Sequence, residues 1–160
     1  MAHREGIREW LKDVDLTNKD VIDWGCGTKP IKNYLSGAKS YFGIDILPHV
    51  GADLVADICN LELGYDLVIN NKIFDVAFCL EVLEHTKSVE NTLSNIYRSL
   101  TKGGKLYLSV PFLYPIHSDH DLWRFTDQGI KYLLELHAFK DIKIKSSTND
   151  QQGWLVEATV

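Results

Sequence analysis

Apolar runs of strand length alternate with amphipathic helical segments along these 160 residues, which predicts an α/β protein on an open, mostly parallel sheet. Three observations carry that prediction. "VIDWGCGTKP", Val21 to Pro30, is a buried strand running straight into a glycine turn. "FDVAFCL", from Phe74, is a continuous apolar run, as expected for a strand covered on both faces. Near the end, "KDIKIKSS" and "WLVEATV" read as two strands joined by the polar turn "TNDQQG". The expected sheet carries helices on both faces and an antiparallel C-terminal hairpin.

Taken in order, "HREGIREWLKD" places Ile7, Trp10 and Leu11 at helical spacing, giving a short amphipathic leading helix. "DVIDW" is the first strand. Pro30 suits the first turn of a helix, where its missing N–H would have no partner anyway, and that helix is expected to end near Gly37. "SYFGIDI" is the second strand and "ADLVAD" a short third, while Leu61 to Lys72 reads as partial helix and loop. After "FDVAFCL", the segment "SVENTLSNIYRSL" puts Val89, Leu93, Ile96, Tyr97 and Leu100 on one face, with Ser88 as N-cap and "TKGG" as a glycine stop. "KLYLSVPF" is the next strand and "LYPIHSDHDLWRFT" a long loop. Thr126 caps a helix to about His137 that buries Ile130, Leu133 and Leu134. With the end hairpin, seven strands are expected.

No repeat, low-complexity tract or linker divides the chain, so residues 1–160 read as one domain. A chain of this length buries about 70% of its unfolded surface and so carries a core of its own. The net charge of −5 disfavours nucleic acid as a partner. Lys140, Lys143 and Lys145 alternate along a strand and read as its solvated face. Cys26, Cys59 and Cys79 are odd in number and form no C-x-x-C pair, which suits reduced thiols in the cytoplasm. The opening residues are too polar for a signal peptide, and no apolar run approaches the ~20 residues of a membrane span.

The acids at strand ends define a ligand. Gly25 and Gly27 are spaced G-x-G, and Asp45 follows the turn by the offset at which an acid reaches ribose hydroxyls. A pyrophosphate, however, needs free helix N–H groups and no anion nearby. Here Asp23 precedes the glycines, and Pro30 stands where a third glycine would be. A nucleoside bearing an ammonium and a sulfonium, with no phosphate, fits better; S-adenosylmethionine is such a molecule, and NAD is disfavoured. The plain alternative is that Asp23, Asp45 and Asp57 are strand-end acids that cap turns.

The segments "VIDWGCGTKP", "YFGIDILPH", "ADLVAD", "FDVAFCLEVLEH", "LTKGGKLYLSVPF" and "HSDHDLWRFT" occur in an order and spacing that resembles class I S-adenosylmethionine-dependent methyltransferases, over about Asp20 to His137. The glycine loop is similar to that of a small, type 11-like branch reading G-C-G-x-K-P-Y, with Ile31 here in place of the tyrosine and Trp24 in place of a small aliphatic residue. The resemblance implies a Rossmann-like sheet, S-adenosylmethionine as cofactor and S-adenosylhomocysteine as product. By the same resemblance Gly25, Cys26 and Gly27 approach the methionine moiety, and Asp23 lies near its ammonium. Asp45 takes the ribose hydroxyls, Ile46 packs on adenine, and Asp57 accepts from the adenine amino group with Ile58 beside it. Leu80 and Glu81 line the cofactor, and His85 is the family's histidine after the fourth strand, near the cofactor or structural.

Methyl transfer from a sulfonium is an in-line displacement, and orientation alone contributes ~7–11 kcal/mol. A general base adds roughly 10²–10⁴-fold where the nucleophile must lose a proton. "PIHSDHDLWRFT" offers His117, His120 and Asp121 as catalytic candidates. Trp123 and Phe125 would wall the acceptor and Arg124 would hold its carboxylate or phosphate. Competing roles are a Trp123–Phe125 staple for the next helix, an ion pair of Arg124 with Asp121 or Glu81, and histidines bonded to loop backbone. A metal trio of His117, Asp119 and His120 matches no strong ligand spacing, so no metal is expected. The short leading segment leaves little material for a lid. A large substrate on an open face, a second copy or partner subunit, or a loop that folds down would each close the site.

The leading expectation is therefore transfer of a methyl group to an O or N nucleophile on a small-molecule acceptor. The alternatives are methylation of a protein or other macromolecule, and a binding module that keeps S-adenosylmethionine without turnover.

Overall fold

The computed structural model describes residues 2–61 and 74–160. The expected helix and loop from Leu61 to Lys72 lies, beyond Leu61 itself, outside the described residues. The strands are β1 (Asp20–Trp24), β2 (Ser40–Asp45), β3 (Leu54–Val55), β4 (Phe74–Leu80), β5 (Leu100–Pro111), β6 (Lys140–Ser146) and β7 (Gly153–Thr159). They form one sheet in the order β3-β2-β1-β4-β5-β7-β6. Pairings from β3 to β5 are parallel, and β7 runs antiparallel to both β5 and β6. Strand order reverses between β1 and β4, so a crevice opens beyond their carboxyl ends.

Alternation along the strands sorts the core into two faces. Val21, Val76, Phe78, Tyr107 and Leu155 pack with Ile7, Trp10 and Leu11 of the leading helix α1 (Ala2–Leu11). Their neighbours Ile22, Ala77, Leu106, Leu108 and Val156 face the other way. There they meet Leu93 and Ile96 of α2 (Val89–Ser99) and Ile130 and Leu134 of α3 (Asp127–Leu136). Ser88 and Thr126 cap α2 and α3 as expected, accepting from Asn91 N and Gly129 N. Lys140, Lys143 and Lys145 are exposed, and all three cysteines are buried free thiols.

Two local expectations are corrected. The segment after the glycine turn is a 3-10 helix, Pro30–Tyr34, that ends at Leu35 before Gly37 is reached. It follows a left-handed Lys29 and has no side-chain cap, so little favours its extension. "TKGG" does not stop α2, because Leu100 is already extended (φ −93°, ψ 145°), buried, and paired with Phe74. Sheet pairing overrides the glycine cap, and Gly103 (φ 77°) instead turns the start of β5 against Val160. "ADLVAD" supplies the expected short third strand, Leu54 and Val55, opposite Ile44 and Asp45.

Candidate active site

The glycine loop closes onto the end of β2. Gly25 and Cys26 N–H groups both donate to the Ile44 carbonyl, at 2.8 and 2.9 Å. Gly25 has φ 75°, and a Cβ there would stand 2.4 Å from Val82 Cγ2, so backbone and space both require glycine. Asp45 is buried, and its two carboxylate oxygens accept from Gly27 N (2.8 Å) and Leu47 N (2.9 Å). It thereby ties the loop after β1 to the loop after β2, with further lone pairs left for a ligand's hydroxyls.

Asp23, at 4% exposure, accepts from the Tyr41 hydroxyl at 2.8 Å. Burial pushes its pKa up to about 7 against the lowering effect of that bond, and the Asp45 charge adds to the rise. A buried carboxyl of this kind becomes a favourable anion when a cation arrives. Sequence reading did not single out the supports of this corner. Tyr41 lies under the ammonium groups of Lys29 and Lys32, and Asp53 pairs with Lys29 (3.0 Å) while accepting from Gly43 N (2.8 Å).

Ile46 is 61% exposed beside Asp45, as an apolar shelf for a flat ring would be. Asp57 accepts from Cys59 N and Asn60 Nδ2, the turn-capping role that was its plain alternative. Ile58 is buried in the main core, its carbonyl held by Asn95 Nδ2.

A cleft of about 510 Å³ opens at the switch point. Asp23, Gly25, Cys26, Leu80 and Glu81 line it from the strand ends, and Arg4, Ile7, Arg8 and Leu11 form the opposite wall from α1. The leading helix, not expected to shape the site, is therefore one side of it. Glu81 has φ 57°, a conformation rare outside glycine. Ser109 holds it there: the Glu81 N–H meets Ser109 O and Oγ, and the Ser109 hydroxyl donates to Glu81 Oε1 at 2.9 Å. Fully buried His3 brings Nε2 to 2.9 Å from the same oxygen, outside hydrogen-bond alignment.

The loop after β5 folds back on the turn Leu83–His85. Leu122 N and Trp123 N reach the Glu84 carbonyl, and the Trp123 indole donates to Thr86 O at 2.8 Å. His85 and His117 meet edge to face with centroids 5.1 Å apart. His117 Nδ1 lies 2.9 Å from Asp121 Oδ2, and Arg124 drives the Asp121 pKa down to about 2. The loop thus assembles His117, Asp121 and His85. It does not assemble His120, whose side chain is exposed and whose carbonyl serves His85 Nδ1 (3.0 Å). Arg124 is likewise corrected as a holder of acceptor anions. Its guanidinium is spent on Asp121 and on the carbonyls of Tyr114, Pro115 and Trp123. Trp123 stays 45% exposed, whereas Phe125 is buried and acts as the staple for α3.

One residue in this region escaped sequence reading. Glu84 is fully buried, both its oxygens lack a hydrogen bond among the described residues, and burial, with the Glu81 charge, pushes its pKa up to about 9. The only signal was its place in "EVLEH", directly before His85.

A sheet of this order, with its crevice beyond β1 and β4 and acids at the strand ends, is the architecture of the class I S-adenosylmethionine-dependent methyltransferases. Residues 3–142 match the family described as methyltransferase domain, and the chain belongs to it. It is 35% identical over 104 residues to a tRNA U34 carboxymethyltransferase of Wolinella succinogenes, covering 59% of this chain and 38% of that protein. It is 27% identical over 154 residues to a ubiquinone biosynthesis O-methyltransferase of Pseudomonas entomophila, covering 82% and 61%. The chain thus spans less than two thirds of either relative. Among solved structures, an S-adenosylmethionine-dependent methyltransferase from Mesorhizobium loti superposes with TM-score 0.73 at 16% identity, covering 100% of this chain and 98% of that one. A putative methyltransferase of Haloferax volcanii, solved in complex with its Trm112 activator, gives TM-score 0.77 at 18% identity, covering 98% and 89%. No helix among the described residues is long and apolar enough to cross a membrane.

Proposed function

We propose that this domain binds S-adenosylmethionine and transfers its methyl group to an O or N nucleophile on a small-molecule acceptor, releasing S-adenosylhomocysteine. The observation that carries the reading is the run of strand-end groups from Asp23 through the Gly25–Gly27 turn to Asp45. A buried carboxyl waits for a cation, a glycine backbone permits close approach, and a second carboxylate stands beside exposed Ile46. The cofactor supplies an activated methyl group. Asp23 would hold its ammonium, Asp45 its ribose hydroxyls and Ile46 its adenine, with Leu80 and Glu81 lining the cofactor from the end of β4. Asp57 would accept from the adenine amino group through lone pairs not used by Cys59 N and Asn60 Nδ2. His117 would be the imidazole of the acceptor loop that meets the nucleophile, its Nδ1 standing 2.9 Å from Asp121 Oδ2 and its main-chain N–H donating to the same oxygen.

The relative that bears a tRNA substrate in its name supports a second reading, methylation of a macromolecule. The Haloferax complex supports an activator subunit as what closes the cleft. The net charge of −5 favours the small acceptor. Thermal shifts with S-adenosylmethionine, S-adenosylhomocysteine, NAD and NADP decide the cofactor: a ligand at ~100 times its dissociation constant adds about 2.7 kcal/mol. Only the first two are expected to stabilise the protein. Asp45→Ala should weaken them by a few kcal/mol, and equal calorimetric affinity in parent and variant would refute the assignment. Conversion of S-adenosylmethionine with metabolite pools and with tRNA then separates the acceptor classes.

A further inference from the structure

We propose that Glu84, His85 and His117 form a binding site for a divalent first-row transition cation. One ligand atom from each of these residues lies within 4.8 Å of the others, and His85 Nε2 is 3.7 Å from Glu84 Oε1. Donors around a tetrahedral ion with bonds of about 2.0–2.1 Å sit roughly 3.4 Å apart, so closure asks for a shift of at most about 1.4 Å. His117, on the loop after β5, is placed to make it.

Two independent features point to a cation. The first is Glu84 itself, a fully buried carboxyl with neither oxygen hydrogen-bonded among the described residues. An unsatisfied buried acid is costly in a folded protein, and a metal ion is a partner that removes the cost. The second is how the two imidazoles are set. His85 Nδ1 faces the His120 carbonyl at 3.0 Å, an acceptor that requires a proton on Nδ1. His117 Nδ1 faces Asp121 Oδ2 at 2.9 Å, and Arg124 fixes that carboxylate in turn. The His85 ring is therefore held as the Nδ1–H tautomer with its Nε2 lone pair available, the second-sphere arrangement of metal-bound histidine, and the His117 ring stands with its Nδ1 side against a carboxylate. Backbone bonds from Leu122 and Trp123 to the Glu84 carbonyl lock together the two segments that supply the ligands.

The donor set is two neutral imidazoles and one carboxylate. It suits zinc, cobalt or manganese and does not suit magnesium or calcium, which prefer oxygen. The trio is not the one contained in the loop alone, since the Asp119 and His120 side chains are exposed and make no hydrogen bond among the described residues. The His117 imidazole that would meet the nucleophile serves here as a ligand, and three protein ligands leave a coordination position open for a water or acceptor oxygen.

The site is tested on the full chain after chelation and dialysis, by calorimetry with zinc, cobalt, manganese and magnesium chlorides. One equivalent of zinc and of cobalt should bind with a dissociation constant of about 10 µM or below. Cobalt should give visible d–d bands, and magnesium should not bind. Glu84→Gln and His117→Ala, each confirmed folded by circular dichroism, should each weaken zinc by at least about tenfold, whereas Asp119→Asn should not. No stoichiometric zinc or cobalt binding by the parent overturns the site, and so does unchanged affinity in either folded variant. His117→Ala lies in an exposed loop and keeps the test decisive if Glu84→Gln does not fold. None of these measurements needs cofactor or methyl transfer, so their failure leaves the proposed function standing.

Discussion

Asp23 couples the chemistry of the cleft to pH. Its pKa is near 7 in the folded protein and ordinary in the unfolded chain, so folding retains a proton between about pH 4 and 7. That contribution to stability is complete below the unfolded pKa and is lost as pH rises through 7. The melting temperature should therefore fall between pH 5 and 8 more steeply in the parent than in Asp23→Asn, as read by differential scanning calorimetry. On the proposed function, a cofactor ammonium favours the ionised carboxyl. S-adenosylmethionine affinity should then rise with pH by at most about tenfold per unit and level off above 7. Asp23→Asn should bind weakly at every pH, and a pH-independent affinity in the parent would remove Asp23 from the cofactor site.

Turns and caps carry the next level of organisation, and here much was legible. Ser88 and Thr126 were identified as caps from residue type and the apolar period that follows them, and both accept the expected backbone N–H. Thr126→Ala should destabilise the protein by about 1 kcal/mol in urea titration, with an unchanged denaturant slope. The glycine turn makes a sharper prediction. Gly25→Ala meets both a positive φ and the Val82 side chain, and should cost about 1–3 kcal/mol. Val82→Ala in the same chain should return the steric part and leave the backbone part, so full recovery would show that φ at Gly25 carries no strain. Where reading by element failed, a distant partner was the cause. Leu100 is drawn into the sheet by Phe74, a residue far away along the chain, and no local cap signal reports that pairing.

The arrangement of α1 against the sheet decides the shape of the cleft. His3 is buried with Nδ1 2.6 Å from the Ser147 hydroxyl, and Trp10 Nε1 reaches Glu157 at 3.3 Å. At Gly6 a Cβ would come within 2.1 Å of the Ser147 carbonyl oxygen, so the helix lies flush on the backbone just after β6. Gly6→Ala should lift α1, speed deuterium exchange across Ala2–Leu11 and weaken whatever fills the cleft, while β1 and β4 stay protected. Exchange in α1 identical to the parent would mean that the helix is held by Ile7, Trp10 and Leu11 alone.

The residues by themselves determined the strand-and-helix alternation, the antiparallel end and the positions of Asp23, the glycine turn and Asp45, because these depend on periodicity and on short offsets from a turn. Spatial packing decided the rest. It turned Arg124 into a brace for its own loop, withdrew His120, and made α1 a wall. It also set a buried Glu84 beside His85 and His117. Those outcomes depend on which segments meet across the sheet and on how much water each group loses there, and neither quantity is written in local spacing.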